Sequence, residues 1–136
     1  MDDEYKTGTG GDIKILIVED DAIIAMDMEQ ILRKKGYNVV GRVDRGEKAL
    51  LAVDEKKPDV VLMDINIKGS IDGITVAKKL LDELHMKVIY VTAYSDMNMK
   101  ERAFETEPIG YLVKPVRESE LIGMIEYAIE KVPEFS

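Results

Sequence analysis

Residues 14–21 read KILIVEDD: a lysine, four apolar residues, then three carboxylates in a row, Glu19, Asp20 and Asp21. A short, unbroken apolar run of this kind suits a strand buried on both faces of a parallel sheet. Three adjacent like charges at its tip repel one another, so some partner must hold them there. Downstream, Ile24, Met28, Ile31 and Leu32 fall on one stripe of a helix, closed by Lys34, Lys35 and Gly36. Asp21 stands just ahead of that helix, placed as its N-cap or first-turn anion.

The same alternation repeats along the chain. NVVGRV (38–43), VVLMD (60–64), KVIYVT (87–92) and GYLVK (110–114) read as four more strands. Between them, residues 45–56 read as a helix stopped before Pro58, and Ile74, Ala77, Leu81 and Leu84 mark another. Residues 97–106 permit a helix but offer few apolar side chains, chiefly Ala103 and Phe104. Leu121, Ile125, Ala128, Ile129 and Val132 line a last helix that Pro133 ends. Five strand–helix units of this type predict an α/β fold, a doubly wound parallel sheet covered on both faces. Residues 1–12, polar and glycine-rich, are expected as a flexible tail, residues 13–133 as one domain, and 134–136 as a short C-terminal tail.

Composition narrows the function. The 136 residues fit one domain, and a 46% hydrophobic content supports a core. Nineteen Lys and Arg against 27 Asp and Glu give a net charge of −8, which disfavours direct binding to nucleic acid or to an anionic membrane surface. With no cysteine and one histidine (His85), thiolate and His-rich metal sites are excluded. His85 reads as a solvated residue near a helix C-terminus. No apolar run approaches the ~20 residues of a membrane span, and no secretory signal is visible, so the cytoplasm is the expected compartment.

In a parallel α/β sheet, ligands sit beyond the carboxyl ends of the strands. Glu19 and Asp20, Asp64, Thr92 and Lys114 all stand at such ends, hence on one edge. Side-by-side placement of the first and third strands would bring Asp20 close to Asp64. A divalent cation relieves the repulsion of crowded carboxylates, and oxygen-only ligands point to Mg²⁺, or Mn²⁺ as a substitute. Carboxylates, a hydroxyl and a lysine around such an ion suit phosphoryl transfer, with one carboxylate as nucleophile. Singly, each residue also has a plain reading: surface acids, a β-branched strand threonine, a solvated lysine.

Taken together, the Glu19-Asp20 pair, Asp64 with Asp72-Gly73, Thr92-Ala93 and Lys114-Pro115 identify a resemblance, over residues 14–132, to the receiver domain of two-component response regulators. The resemblance implies a flavodoxin-like (βα)5 fold with strand order 2-1-3-4-5 and a cis Lys114–Pro115 bond. It implies that Asp64 is the phosphoacceptor and that Asp20 binds Mg²⁺ directly, with Glu19 acting largely through water. Asn66 would offer its backbone carbonyl to the metal, while Thr92 and Lys114 would contact the phosphoryl group. Tyr111, three positions before that lysine, matches the aromatic switch residue. The implied partners are a sensor histidine kinase or histidine phosphotransfer protein, a downstream effector or fused output domain, and a second copy through the face of the fourth helix, fifth strand and fifth helix. No enzymatic turnover of an external substrate is expected.

Two features depart from the family pattern. The loop INIKGSIDG (65–73) lacks the usual Met-Pro step and is one residue longer, and the acidic pair is Glu-Asp rather than Asp-Asp. Two rivals share parts of the pattern. A haloacid-dehalogenase-like phosphatase also forms an aspartyl phosphate, but its nucleophile ends the first strand and a second Asp follows two positions later, where this chain has Asn66. An unphosphorylated adaptor would keep the fold without needing every charged site residue.

Overall fold

In the computed structural model, which describes residues 13–131, strands and helices alternate from end to end. They run β1 (Lys14–Val18), α1 (Ala22–Lys34), β2 (Asn38–Val43), α2 (Gly46–Lys56), β3 (Val60–Met63), α3 (Gly73–Leu84), β4 (Ile89–Thr92), α4 (Met97–Phe104), β5 (Gly110–Val113) and α5 (Glu118–Lys131). The expected tails (1–12 and 134–136), Val132 and the closing Pro133 lie outside the described residues.

The five strands form one parallel sheet in the order β2-β1-β3-β4-β5. Successive residues of the central strands face opposite sides, so an unbroken apolar run fills two cores. Ile15 and Ile17, Val60 and Leu62, and Ile89 and Val91 pack against Ala25, Met28 and Leu32 of α1 and Leu121, Ile125 and Ala128 of α5. Leu16 and Val18, Val61 and Met63, and Tyr90 pack on the other side with Ala49 and Val53 of α2, Val76, Ala77 and Leu80 of α3, and Ala103 of α4. Helices α1 and α5 thus cover one face and α2, α3 and α4 the other, the flavodoxin-like arrangement the sequence predicts.

Local signals explain the helix ends. The Asp21 carboxylate caps α1 by accepting from the amides of Ile23 and Ile24 at 2.9 and 3.2 Å. Asp72 caps α3 through Thr75, and Asp96 caps α4 through Met99. His85 closes α3 in the left-handed conformation and is exposed, as expected of a residue at that end.

Two details differ from expectation. Strand β5 is half-buried along its length, because it is the sheet's edge and has a neighbour on one side alone. Leu84, read as part of the α3 stripe, is 55% exposed. The helix presents Ile74, Val76, Ala77 and Leu80 to the core, and its last turn overhangs it.

Candidate functional site

Strand register delivers the acids to one place. Val18 pairs with Met63, and the Asp64 amide donates to the Val18 carbonyl at 3.0 Å. Glu19 and Asp64 therefore leave neighbouring strands at the same level. The Glu19 amide is fixed on its other side by the Val43 carbonyl at 2.9 Å. Carboxylate oxygens of Glu19, Asp20 and Asp64 all lie within 4.8 Å of one another. From the far side of β4, the Lys114 amide donates to the Thr92 carbonyl at 2.8 Å, setting these two residues side by side. The Lys114 ammonium then reaches across to Asp64 Oδ2 at 2.7 Å and Glu19 Oε1 at 2.5 Å. The Lys114–Pro115 peptide is cis.

The charges are not balanced. Side chains of Glu19 and Asp64 are 1% and 5% exposed, and buried carboxylates require a counter-charge. Lys114 supplies one cation against three acids. Burial first, and then the neighbouring Asp64 charge, push the Glu19 carboxyl up to about 6 against the opposing pull of Lys114. For Lys114, burial favours the neutral amine, but Asp64 and Glu19 outweigh it and raise its pKa. Glu19 Oε1 is paired with the Lys114 ammonium and accepts from no other group among the described residues. Glu19 Oε2 is engaged by the Asp21 amide at 3.1 Å, and Asp64 Oδ1 by the Asn66 amide at 3.3 Å. An excess of negative charge and a donor set made of oxygen alone fit a hard divalent cation such as Mg²⁺.

Further groups surround this centre. Thr92 is fully buried at the end of β4, and its hydroxyl oxygen accepts from the Tyr94 amide at 3.4 Å. The hydroxyl of Tyr111 donates to the Tyr94 carbonyl at 2.8 Å. Its ring packs on Tyr90 and Phe104 at centroid distances of 5.7 and 6.0 Å, with the Lys100 ammonium 5.7 Å above it. Tyr111 therefore ties α4 to the loop that follows Thr92. Gly73 explains the Asp-Gly step. A methyl there would overlap the Asp64 carbonyl oxygen, so a residue without a side chain lets α3 start against the backbone of Asp64 and Ile65.

A buried hydroxyl pair escaped the sequence reading. Tyr90 Oη and Thr106 Oγ1 lie 2.7 Å apart, and Thr106 also donates to the Ala103 carbonyl at 2.6 Å, anchoring the end of α4 to β4. A tyrosine within an apolar strand was the available signal, since a buried phenol needs a partner. Its burial pushes the phenol up to about 12. Burial dominates that rise and the hydrogen bond opposes it.

The five-stranded parallel sheet thus carries an acid cluster and an ammonium at its carboxyl edge. The response regulator receiver domain profile matches residues 15–126, and the chain belongs to that family. It is 36% identical over 123 residues to the transcriptional regulatory protein PdtaR of Mycobacterium tuberculosis, a match covering 90% of this chain and 60% of that protein. It is 35% identical to the positive alginate biosynthesis regulatory protein of Pseudomonas aeruginosa, over 78% of this chain and 46% of that protein. The chain thus spans about half to three fifths of the length of these relatives. Among solved structures, the signal receiver domain of a modulated diguanylate cyclase from Desulfovibrio desulfuricans superposes with a TM-score of 0.84 at 35% identity, covering 92% of this chain and all of that one. A CheY-like receiver domain protein from Methanospirillum hungatei gives 0.78 at 27% identity, covering 90% and 95%. No helix among the described residues is long and apolar enough to cross a membrane.

Proposed function

We propose that this domain is a phosphorylation-dependent switch that accepts a phosphoryl group on Asp64. The observation that carries the reading is the convergence of Glu19, Asp20, Asp64 and Lys114 at one sheet edge. Transfer proceeds from a phosphohistidine on a sensor kinase or phosphotransfer protein. The donor P–N bond breaks, a bond forms from an Asp64 carboxylate oxygen to phosphorus, and the imidazole leaves with the electron pair. Asp20, Asp64 and the Asn66 carbonyl would hold Mg²⁺, with Glu19 supporting it through water. When bound there, the ion neutralises charge on the phosphoryl oxygens. Lys114, freed from Asp64 Oδ2, offers its ammonium to the new phosphoryl oxygens, and Thr92 offers its hydroxyl.

Movement of Thr92 toward the phosphoryl group alters the loop that carries Tyr94, and with it the anchor of Tyr111. Helix α4 is eight residues long and fully buries Ala103 alone, a loosely held element suited to a two-state response. The changed face of α4, β5 and α5 then selects an effector protein, a fused output domain or a second copy. The domain turns over no external substrate. Its chemistry is confined to its own phosphorylation and dephosphorylation.

The test is incubation with a small phosphodonor such as acetyl phosphate, with and without Mg²⁺, read by intact mass. One added phosphoryl group that requires Mg²⁺ and is lost in Asp64→Asn supports the proposal. Unchanged labelling of Asp64→Asn would show the acceptor to be another residue.

A further inference from the structure

The loop after β3 reads INIKGSIDG, and Asn66 sits in it between two buried residues, Ile65 and Ile67. It has no proline to restrict its backbone between Asp64 and Asp72, so something else must aim the Asn66 carbonyl. The ties run to the corner between β2 and α2. The Lys68 amide donates to the Asp44 carbonyl at 3.0 Å, and the Gly46 amide returns a bond to the Lys68 carbonyl at 3.4 Å. The Lys68 ammonium lies 3.7 Å from Asp44 Oδ2. Two residues on, Glu47 Oε2 accepts from both the amide and the hydroxyl of Ser70, at 3.2 and 2.6 Å.

Gly69 is shaped to this contact. Its backbone is left-handed at φ +97°, and a methyl there would overlap the other Glu47 oxygen. The Ser70 hydroxyl first, then backbone amides, hold the Glu47 carboxyl below the usual carboxylate range, so it is ionised at neutral pH. Glu47 lies in the first turn of α2, so its carboxylate is also favoured by the helix N-terminus.

We infer that Glu47 is a positioning residue for the cation site: by clasping Ser70 across Gly69 it fixes the loop that presents the Asn66 carbonyl. This rests on the phosphoacceptor reading above. Glu47 touches neither the acids nor the phosphoryl group; it acts through the loop, in the way that outer partners orient metal ligands. The clasp takes the place of the missing proline in a loop one residue longer than the family's usual one.

The experiment uses the full chain as wild type, Glu47→Ala and Glu47→Gln. Glu47 is exposed, so neither change opens the core. Mg²⁺ binding is measured by calorimetry, and amide hydrogen exchange at Lys68 and Ser70 is followed in metal-free protein. Glu47→Ala is expected to bind Mg²⁺ about tenfold more weakly, the low end for losing a group that supports a ligand, and to exchange faster at Ser70. Glu47→Gln keeps an oxygen for both Ser70 donors and should stay close to wild type. Equal Mg²⁺ affinity in Glu47→Ala and wild type overturns the inference, even if Ser70 exchanges faster. Equal losses in both variants overturn it too, because charge rather than the clasp would then be responsible. A wild type that binds no Mg²⁺ defeats the underlying reading itself, which separates that failure from the other two.

Discussion

Replacing Lys114 with methionine keeps most of the stem and deletes the cation. Two carboxylates that are 1% and 5% exposed then lose the ammonium they share at 2.5 and 2.7 Å. Breaking a buried pair in this way leaves charge without compensation and costs roughly 3–5 kcal/mol. The low end, about 3 kcal/mol, applies here because Glu19 can take up a proton. That proton sets the pH dependence. In the wild type Glu19 is raised from 4.5 to about 6, so the folded state holds its proton more tightly than the unfolded chain. An acid raised in this way weakens the fold as pH climbs from 4.5 through 6. At 1.36 kcal/mol per pH unit that amounts to about 2 kcal/mol. Without Lys114 the penalty for ionising Glu19 grows, so the difference between variant and wild type is largest above pH 6 and shrinks toward pH 5. Urea unfolding with a chelator present, at pH 7.5 and pH 5, measures both. Excess Mg²⁺ at pH 7.5 should recover much of the loss, since a ligand at a hundred times its Kd contributes about 2.7 kcal/mol. A loss below about 1 kcal/mol at pH 7.5, the value for a surface pair, or one that grows toward pH 5, would refute the buried-pair reasoning.

Gly73→Ala forces a methyl into the Asp64 carbonyl and should cost about 3 kcal/mol in chemical unfolding, at the upper end for overpacking. A loss within experimental error would mean that α3 does not abut β3 as closely as described. Tyr111→Phe keeps the ring contacts with Tyr90 and Phe104 but loses the bond to the Tyr94 carbonyl. We expect a stability change of about 0.5–1 kcal/mol and faster amide exchange in residues 93–96; unchanged exchange there would break the proposed link between Tyr111 and the loop. Tyr94 is 37% exposed and two positions beyond Thr92, where its ring would screen an acyl phosphate on Asp64 from water. Tyr94→Ala should therefore lose its phosphoryl group faster, read by a time course of intact mass, and an equal or slower loss would remove that role.

What the sequence discloses follows from the range of the interactions involved. Strand runs such as KILIV and VVLM are legible because a strand buried on both faces must be apolar throughout. Their ends are legible because Glu19, Asp64 and Lys114 are conspicuous charges at the tips of apolar runs. The sheet order turns these tips into a cluster, and it rests here on the family resemblance, since local periodicity carries no information about which strands adjoin. Strand β5 looks as apolar as its neighbours yet lies at an edge, and Leu84 extends a stripe past the point where α3 leaves the core. Such outcomes depend on where an element sits in the sheet. Glu47 and Ser70, 23 residues apart, and Tyr90 and Thr106, 16 apart, meet through tertiary structure alone, so no spacing in the chain announces them.

A crystal structure grown with Mg²⁺ and beryllofluoride tests the central claim most directly. The ion is expected on Asp20, Asp64 and the Asn66 carbonyl, and beryllofluoride on Asp64, with Lys114 and Thr92 turned toward its fluorides. An ion held elsewhere, or beryllofluoride absent from Asp64 while the acids keep their places, would contradict it.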